Sequence, residues 1–171
     1  MTPIITFIAL SGLVFYIWKR KSKSDWILPT KPFSNEWRII LIQKVAFYNA
    51  LSTEEKNRFE FKVQEFLLNC RITGIETTAE TTDKILVASS AIIPIFGFTN
   101  WKYSNINEVL IYPNSFNKEF ETEGENRQIL GMVGTGYMDG IMILSQQALQ
   151  HGFKNESDKK NTAIHEFVHL I

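Results

Sequence analysis

Hydrophobic and polar positions follow several distinct rhythms along this chain. Residues 1–18 (MTPIITFIALSGLVFYIW) carry no charged side chain and are apolar on every helical face. At a helical rise of about 1.5 Å that run spans roughly 27 Å, close to a hydrocarbon core of about 30 Å. Phe15, Tyr16 and Trp18 crowd its end, and Lys19, Arg20, Lys21 and Lys23 follow at once. Aromatic rings favour the membrane interface and cations stay on the cytoplasmic side. The run therefore reads as a single transmembrane anchor with the rest of the chain facing the cytoplasm. A cleaved signal peptide would place its charge before the apolar run and end in small residues; a buried core helix is the other alternative. Residues 19–35 then form a basic juxtamembrane linker, with Pro29 and Pro32 interrupting any helix. Residues 36–171 remain for one domain.

From Glu36 the rhythm turns helical. Trp37, Ile40, Leu41, Val45 and Tyr48 recur at threes and fours as far as Ala50. Ser52 with Glu55 three residues on is a capping box, and the helix after it is expected to bury Phe59, Val63, Phe66, Leu67 and Cys70. A short strand is expected near 71–76. Residues 82–96 begin as a helix that Pro94 ends or kinks, and the small residues Ala88, Ser89, Ser90 and Ala91 permit close packing. EVLIY at 108–112 is strand-like and Pro113-Asn114 ends it. Residues 117–135 are charged and glycine-bearing, a loop with one ragged strand at 128–132. YMDGIMIL at 137–144 reads as a strand, Ser145 caps a short helix over 146–151, and the polar 155–161 leads into a final helix. This order predicts an α+β fold with a small, mixed sheet.

Composition adds bounds. A chain of 171 residues with 44% apolar and 21% charged residues can bury one adequate core. Eighteen Lys+Arg balance eighteen Asp+Glu, so no global field draws nucleic acid, and nucleic acid is not an expected partner. Cys70 stands alone and cannot form an internal disulfide; its place in an apolar helical pattern marks it as buried and inert.

The candidate chemistry sits in the final helix, at His165-Glu166-Phe167-Val168-His169. Residues four apart share a helix face, so His165 and His169 can aim both imidazoles at one zinc ion, about 2.0–2.1 Å from each nitrogen. Glu166 lies about 100° round the helix. It can reach a zinc-bound water and accept its proton as general base while a carbonyl is attacked. Phe167 and Val168 are expected to face the core. Chance produces these three fixed positions in roughly one chain of this size in a few hundred, and the motif holds two of the three histidines. His151, beside Gly152, reads as a helix C-terminal cap rather than a ligand. A catalytic zinc normally takes three protein ligands and one open position. Glu119, Glu121, Glu123 and Glu125 are candidates for the third by residue type alone.

Taken together, EVLIYPNSF at 108–116, GIMILS at 140–145 and NTAIHEFVH at 161–169 resemble the glucose-regulated zinc metallopeptidases of the Mlc titration factor A type. The segment with Ala88 to Ala91 matches more weakly. The resemblance implies a zincin-like fold, zinc held by His165 and His169, and water activated by Glu166. It also implies a third ligand similar to a glutamate on a later helix, so a chain that ends at Ile171 looks truncated, with weak zinc binding and little activity expected of it. Soluble relatives lack an N-terminal span, and they tend to carry Trp where this chain has Gln146. By similarity to zincins, the strand before the motif helix would be an edge strand that receives an extended peptide. Gly140, Ile141, Met142 and Ile143 are the candidates for that binding, and plain core is the alternative. The expected function is a membrane-anchored, zinc-dependent peptidase. The alternatives are a non-catalytic protein that sequesters a transcriptional regulator, as the resemblance also implies, and an inactive fragment.

Overall fold

The computed structural model describes residues 26–117, 119–122, 128–154 and 161–171. Helix α1 (Asn35–Lys44) stops at Val45, whose extended backbone (φ −118°, ψ 92°) separates it from the single turn α2 (Ala46–Asn49). The expected continuous helix over 36–50 is thus two pieces, with Leu41, Val45 and Tyr48 all buried in the core. Helix α3 (Thr53–Asn69) starts at the expected capping box. Glu55 N donates to Ser52 Oγ at 3.4 Å, and Ser52 N donates to Glu55 Oε2 at 2.9 Å. Strand β1 (Arg71–Gly74) follows, then helix α4 (Thr81–Ile95), strand β2 (Glu108–Tyr112), strand β3 (Gly131–Val133), a 3-10 turn (Gly136–Met138), strand β4 (Ile141–Ser145), helix α5 (Gln146–Lys154) and helix α6 (Thr162–Val168).

The expected α+β fold with a small mixed sheet is present. Strand order is β1-β2-β4-β3; β1 and β4 flank β2 in parallel, and β3 runs antiparallel to β4. Helix α4 is buried nearly all round, as its unbroken apolar run requires. Its small residues Ala88, Ser89, Ser90 and Ala91 are fully enclosed. The two buried hydroxyls return to their own helix, Ser89 Oγ to Ile85 O and Ser90 Oγ to Leu86 O. Gln146 does not fill space as a Trp would. It donates to Asp83 Oδ2 at 2.7 Å and accepts from Thr77 Oγ1 at 2.9 Å, while Gln150 donates to Asp83 Oδ1 at 2.7 Å. Two amides from α5 thereby satisfy a fully buried carboxylate of α4 and tie the two helices together.

Residues 1–18, read as a membrane span, lie outside the described residues. Among the described residues no helix is long and apolar enough to cross a membrane. The longest, α3 at 17 residues, carries Glu54, Glu55, Lys56, Arg58 and Glu60, whereas a span needs about 20 apolar residues. The expected single-pass membrane placement with a cytoplasmic catalytic domain is corrected to that finding: no described helix supplies a span. The described end of the linker packs on the domain. Trp26 Nε1 donates to Glu65 Oε1 at 2.7 Å, and the Ile27 backbone exchanges two 2.8 Å bonds with the Asn69 side chain, so this stretch is strapped to α3.

The helical layer is held by aromatic contacts and one buried charge. Phe59 is fully buried, with ring centroids 5.7 Å from Phe47, 5.6 Å from Phe96 and 5.9 Å from Tyr48. Glu60 is nearly buried and receives Arg38 Nε at 2.7 Å, Arg38 Nη2 at 2.8 Å and the Tyr48 hydroxyl at 2.6 Å. Burial alone would raise the Glu60 carboxyl, but these hydrogen bonds and the Arg38 charge outweigh it and hold the group below its usual value. Burial, followed by the bond to Glu60, pushes the Tyr48 phenol up to about 12.

Two outcomes are expected. Because the Glu60 carboxyl is depressed in the folded state, its contribution to stability is full above the unfolded carboxyl value of about 4.3 and is lost as pH falls through the folded value. The melting temperature of the wild type should therefore drop more steeply with acid below about pH 4.3 than that of Glu60→Gln. Arg38→Ala leaves the carboxylate buried without its partner and should cost about 2 kcal/mol by urea denaturation at neutral pH. That is less than for a fully buried pair, because the Arg38 side chain is 38% exposed.

Candidate active site

Helix α6 is short and depends on contacts at both ends. Asn161 caps its start, with Oδ1 accepting from Ile164 N at 3.0 Å. Gly152 of α5 lies against that cap; a Cβ there would stand 3.0 Å from Asn161 Cγ, so glycine allows the approach. Past the other end, Leu170 O accepts from Asn105 Nδ2 at 3.0 Å. Between them Phe167 is fully buried, its ring 5.6 Å from Phe66 and 5.4 Å from Tyr103.

The two histidines converge. His165 Nε2 and His169 Nε2 are 3.1 Å apart, with ring centroids at 4.6 Å and planes at 83°. Two nitrogens bound to one zinc at tetrahedral angle would stand about 3.3 Å apart, so the pair fits a shared cation. Both rings are exposed, as ligands to a solvent-accessible metal must be. Glu166 is half-buried beside them. Burial raises its carboxyl above the usual value, and the neighbouring His165 and His169 pull it part of the way back. An open cleft of about 430 Å³ runs between α6 and the approach to β3, lined by Gln128, Leu130, Gly131, Thr162, His165 and Glu166 among others.

Other expected residues fall elsewhere. Val168 is 51% exposed rather than in the core. At about 100° per residue, the buried stripe of Ala163, Phe167 and Leu170 centres on the Glu166 side of Phe167, which turns Val168 outward. His151 is an exposed residue within α5, which runs three residues past it to Lys154 instead of ending there. Glu121 is tied to Asn117, whose Nδ2 donates to Glu121 Oε2 at 2.8 Å, and Glu119 N donates to Asn117 Oδ1 at 3.0 Å. Glu123 and Glu125 lie outside the described residues. Among the described residues no three His, Cys, Asp or Glu side chains stand together as a metal cage.

The expected edge strand needs correction. β4 is interior, paired with β2 on one side and β3 on the other. Gly140 is not in a strand but in the turn before it, at φ +80°. Ile141 is half-buried, and Met142 and Ile143 are buried at 0% and 1%. With both its edges taken, β4 cannot receive a peptide, and the plain-core alternative holds. The edge beside the histidines is β3. Gly131 and Asn161 escaped the sequence reading, although local signals existed for both. Asn just before an apolar helical run is an N-cap pattern, and a lone glycine in a strand marks close backbone approach.

Comparison with known proteins bears on this geometry. The description "Glucose-regulated metallo-peptidase M90" matches residues 16–171. An uncharacterized protein of Synechocystis sp. is 25% identical over 179 aligned residues, covering 99% of this chain and 65% of the relative's own length. With paired imidazoles beside a half-buried carboxylate on one short helix, and a family match over nearly the whole length, this chain belongs to the glucose-regulated metallo-peptidases.

Proposed function

We propose that this chain carries the metal-binding and proton-accepting part of a zinc-dependent peptidase that acts on extended peptides. His165 and His169 are two of the metal's ligands and Glu166 is the general base. The observation that carries this reading is the 3.1 Å convergence of the two Nε2 atoms, with Glu166 next in sequence to His165 and facing the same cleft. Imidazole nitrogen suits zinc, and membership of a metallo-peptidase family implies a metal. When bound, zinc supplies Lewis-acid polarisation of a carbonyl and acidifies water at neutral pH.

The remaining work belongs to the chain's own groups. Glu166 accepts a proton from the attacking water, and the same carboxyl returns it to the departing amine nitrogen. β3 offers the backbone N–H and C=O groups of an edge strand to an extended substrate, which accommodates many sequences because the bonds are main-chain. Glu166 is half-buried at the wall of the cleft, which leaves its carboxyl partly shielded. Phe167 fixes the rotation of α6, so the base and both imidazoles move as one unit.

In the full-length protein, Glu166→Gln should keep stoichiometric zinc by elemental analysis while hydrolysis of a quenched fluorogenic peptide falls about 10²–10⁴-fold. His165→Ala and His169→Ala should each lose the zinc. Undiminished hydrolysis by Glu166→Gln would overturn the assignment of the base. A wild type that releases nothing from any peptide, yet holds a regulator equally well with and without Glu166→Gln, would point to binding without turnover.

A further inference from the structure

We infer that Gly131 is a positioning residue for Glu166: its missing side chain lets the stem of the base lie against the edge strand that would hold the substrate. This rests on the peptidase reading above and adds to it a residue on a separate element. Gly131 opens β3 and pairs with Leu144 of β4. Its backbone is not in the left-handed region, which among the described glycines is occupied by Gly136 and Gly140, so conformation does not require glycine there. Space does. A Cβ at Gly131 would stand 2.8 Å from Glu166 Cγ, 3.0 Å from Leu144 Cδ2 and 3.0 Å from Thr162 Cγ2, whereas non-bonded carbons settle at about 3.5–4.0 Å.

These three side chains do not have equal freedom to yield. Leu144 is 1% exposed inside the core cluster. Thr162 sits in the first turn of α6, directly after the capping Asn161. Glu166 opens onto the cleft and has other rotamers available. A methyl group at position 131 is therefore relieved chiefly by turning Glu166, which carries its carboxylate away from the place where a peptide carbonyl would lie. His165 and His169 are not among the atoms nearest that Cβ, so the metal pair should stay as it is. The base is thus located by the strand that frames the substrate as well as by the helix that holds the metal.

The test uses the full-length protein and the variant Gly131→Ala. The expected result is a kcat on the fluorogenic peptide lower by about 10–100-fold, with KM little changed and the zinc content of wild type. A readout independent of metal is the nuclear Overhauser contact between the Gly131 α protons and the Glu166 γ protons in the zinc-free wild type. Its absence would overturn the inference whatever the activity. The double variant Gly131→Ala/Thr162→Ser removes the Thr162 methyl group and should recover melting temperature while kcat stays low. Recovery of kcat in step with stability would show that the glycine serves the fold alone and would overturn the positioning role. An active wild type with unchanged kcat in Gly131→Ala sinks this inference only, whereas a wild type inert toward peptides sinks the peptidase reading on which it rests.

Discussion

The burial of Phe167 is the constraint on which the candidate site rests. A helix of seven residues is far too short to persist by its own hydrogen bonds. It stays because one aromatic ring fills the slot between Phe66 of α3 and Tyr103 in the segment before β2. That ring also sets the helix's rotation. At about 100° per residue, positions two before and two after Phe167 both point about 200° away from it, on the face opposite the core. Those positions are His165 and His169. Seating Phe167 inward is thus the same act as turning both imidazoles outward and towards each other.

The rest of the fold aligns this short element. Asn161 and Asn105 secure its two ends, and α5 approaches its start closely enough to need glycine at position 152. α5 is itself locked to α4 through Asp83, Gln146 and Gln150. The buried carboxylates therefore divide into two kinds. Asp83 and Glu60 have their hydrogen-bonding capacity taken up by neighbours and act as joints of the scaffold. Glu166 is only half-buried and opens onto a cleft, which suits the proton-exchanging role proposed for it.

Sheet order decides what the cleft can hold. β3 is short and antiparallel and lies at the margin of an otherwise parallel sheet, beside α6. An edge strand has one row of backbone groups unused by its own sheet. Here that row stands next to the half-buried Glu166 carboxyl and the paired His165 and His169 nitrogens. A parallel neighbour in the same place would need a crossover of a dozen or more residues, whereas the antiparallel strand returns to β4 through one 3-10 turn.

Much of this is written locally. The capping box at Ser52 and Glu55, the strand at 108–112, the enclosed helix around Ala88 and the four-residue spacing of His165 and His169 each depend on side chains a few positions apart, and a periodic pattern records such relations directly. The interruption at Val45 and the outward turn of Val168 are harder to see, because an apolar residue can lie on either side of a helix's buried stripe. The position of β4 within the sheet was not legible at all. Its apolar run reads the same for an interior strand as for a half-covered edge, and pairing with β2 and β3 joins residues far apart in the chain. The sequence alone determined the four-residue spacing that marks His165, Glu166 and His169 as candidates for metal and proton chemistry; only the tertiary structure decided which strand faces them and which glycine leaves them room, because neighbours across a sheet or between a strand and a helix are chosen by packing and leave no mark on local spacing.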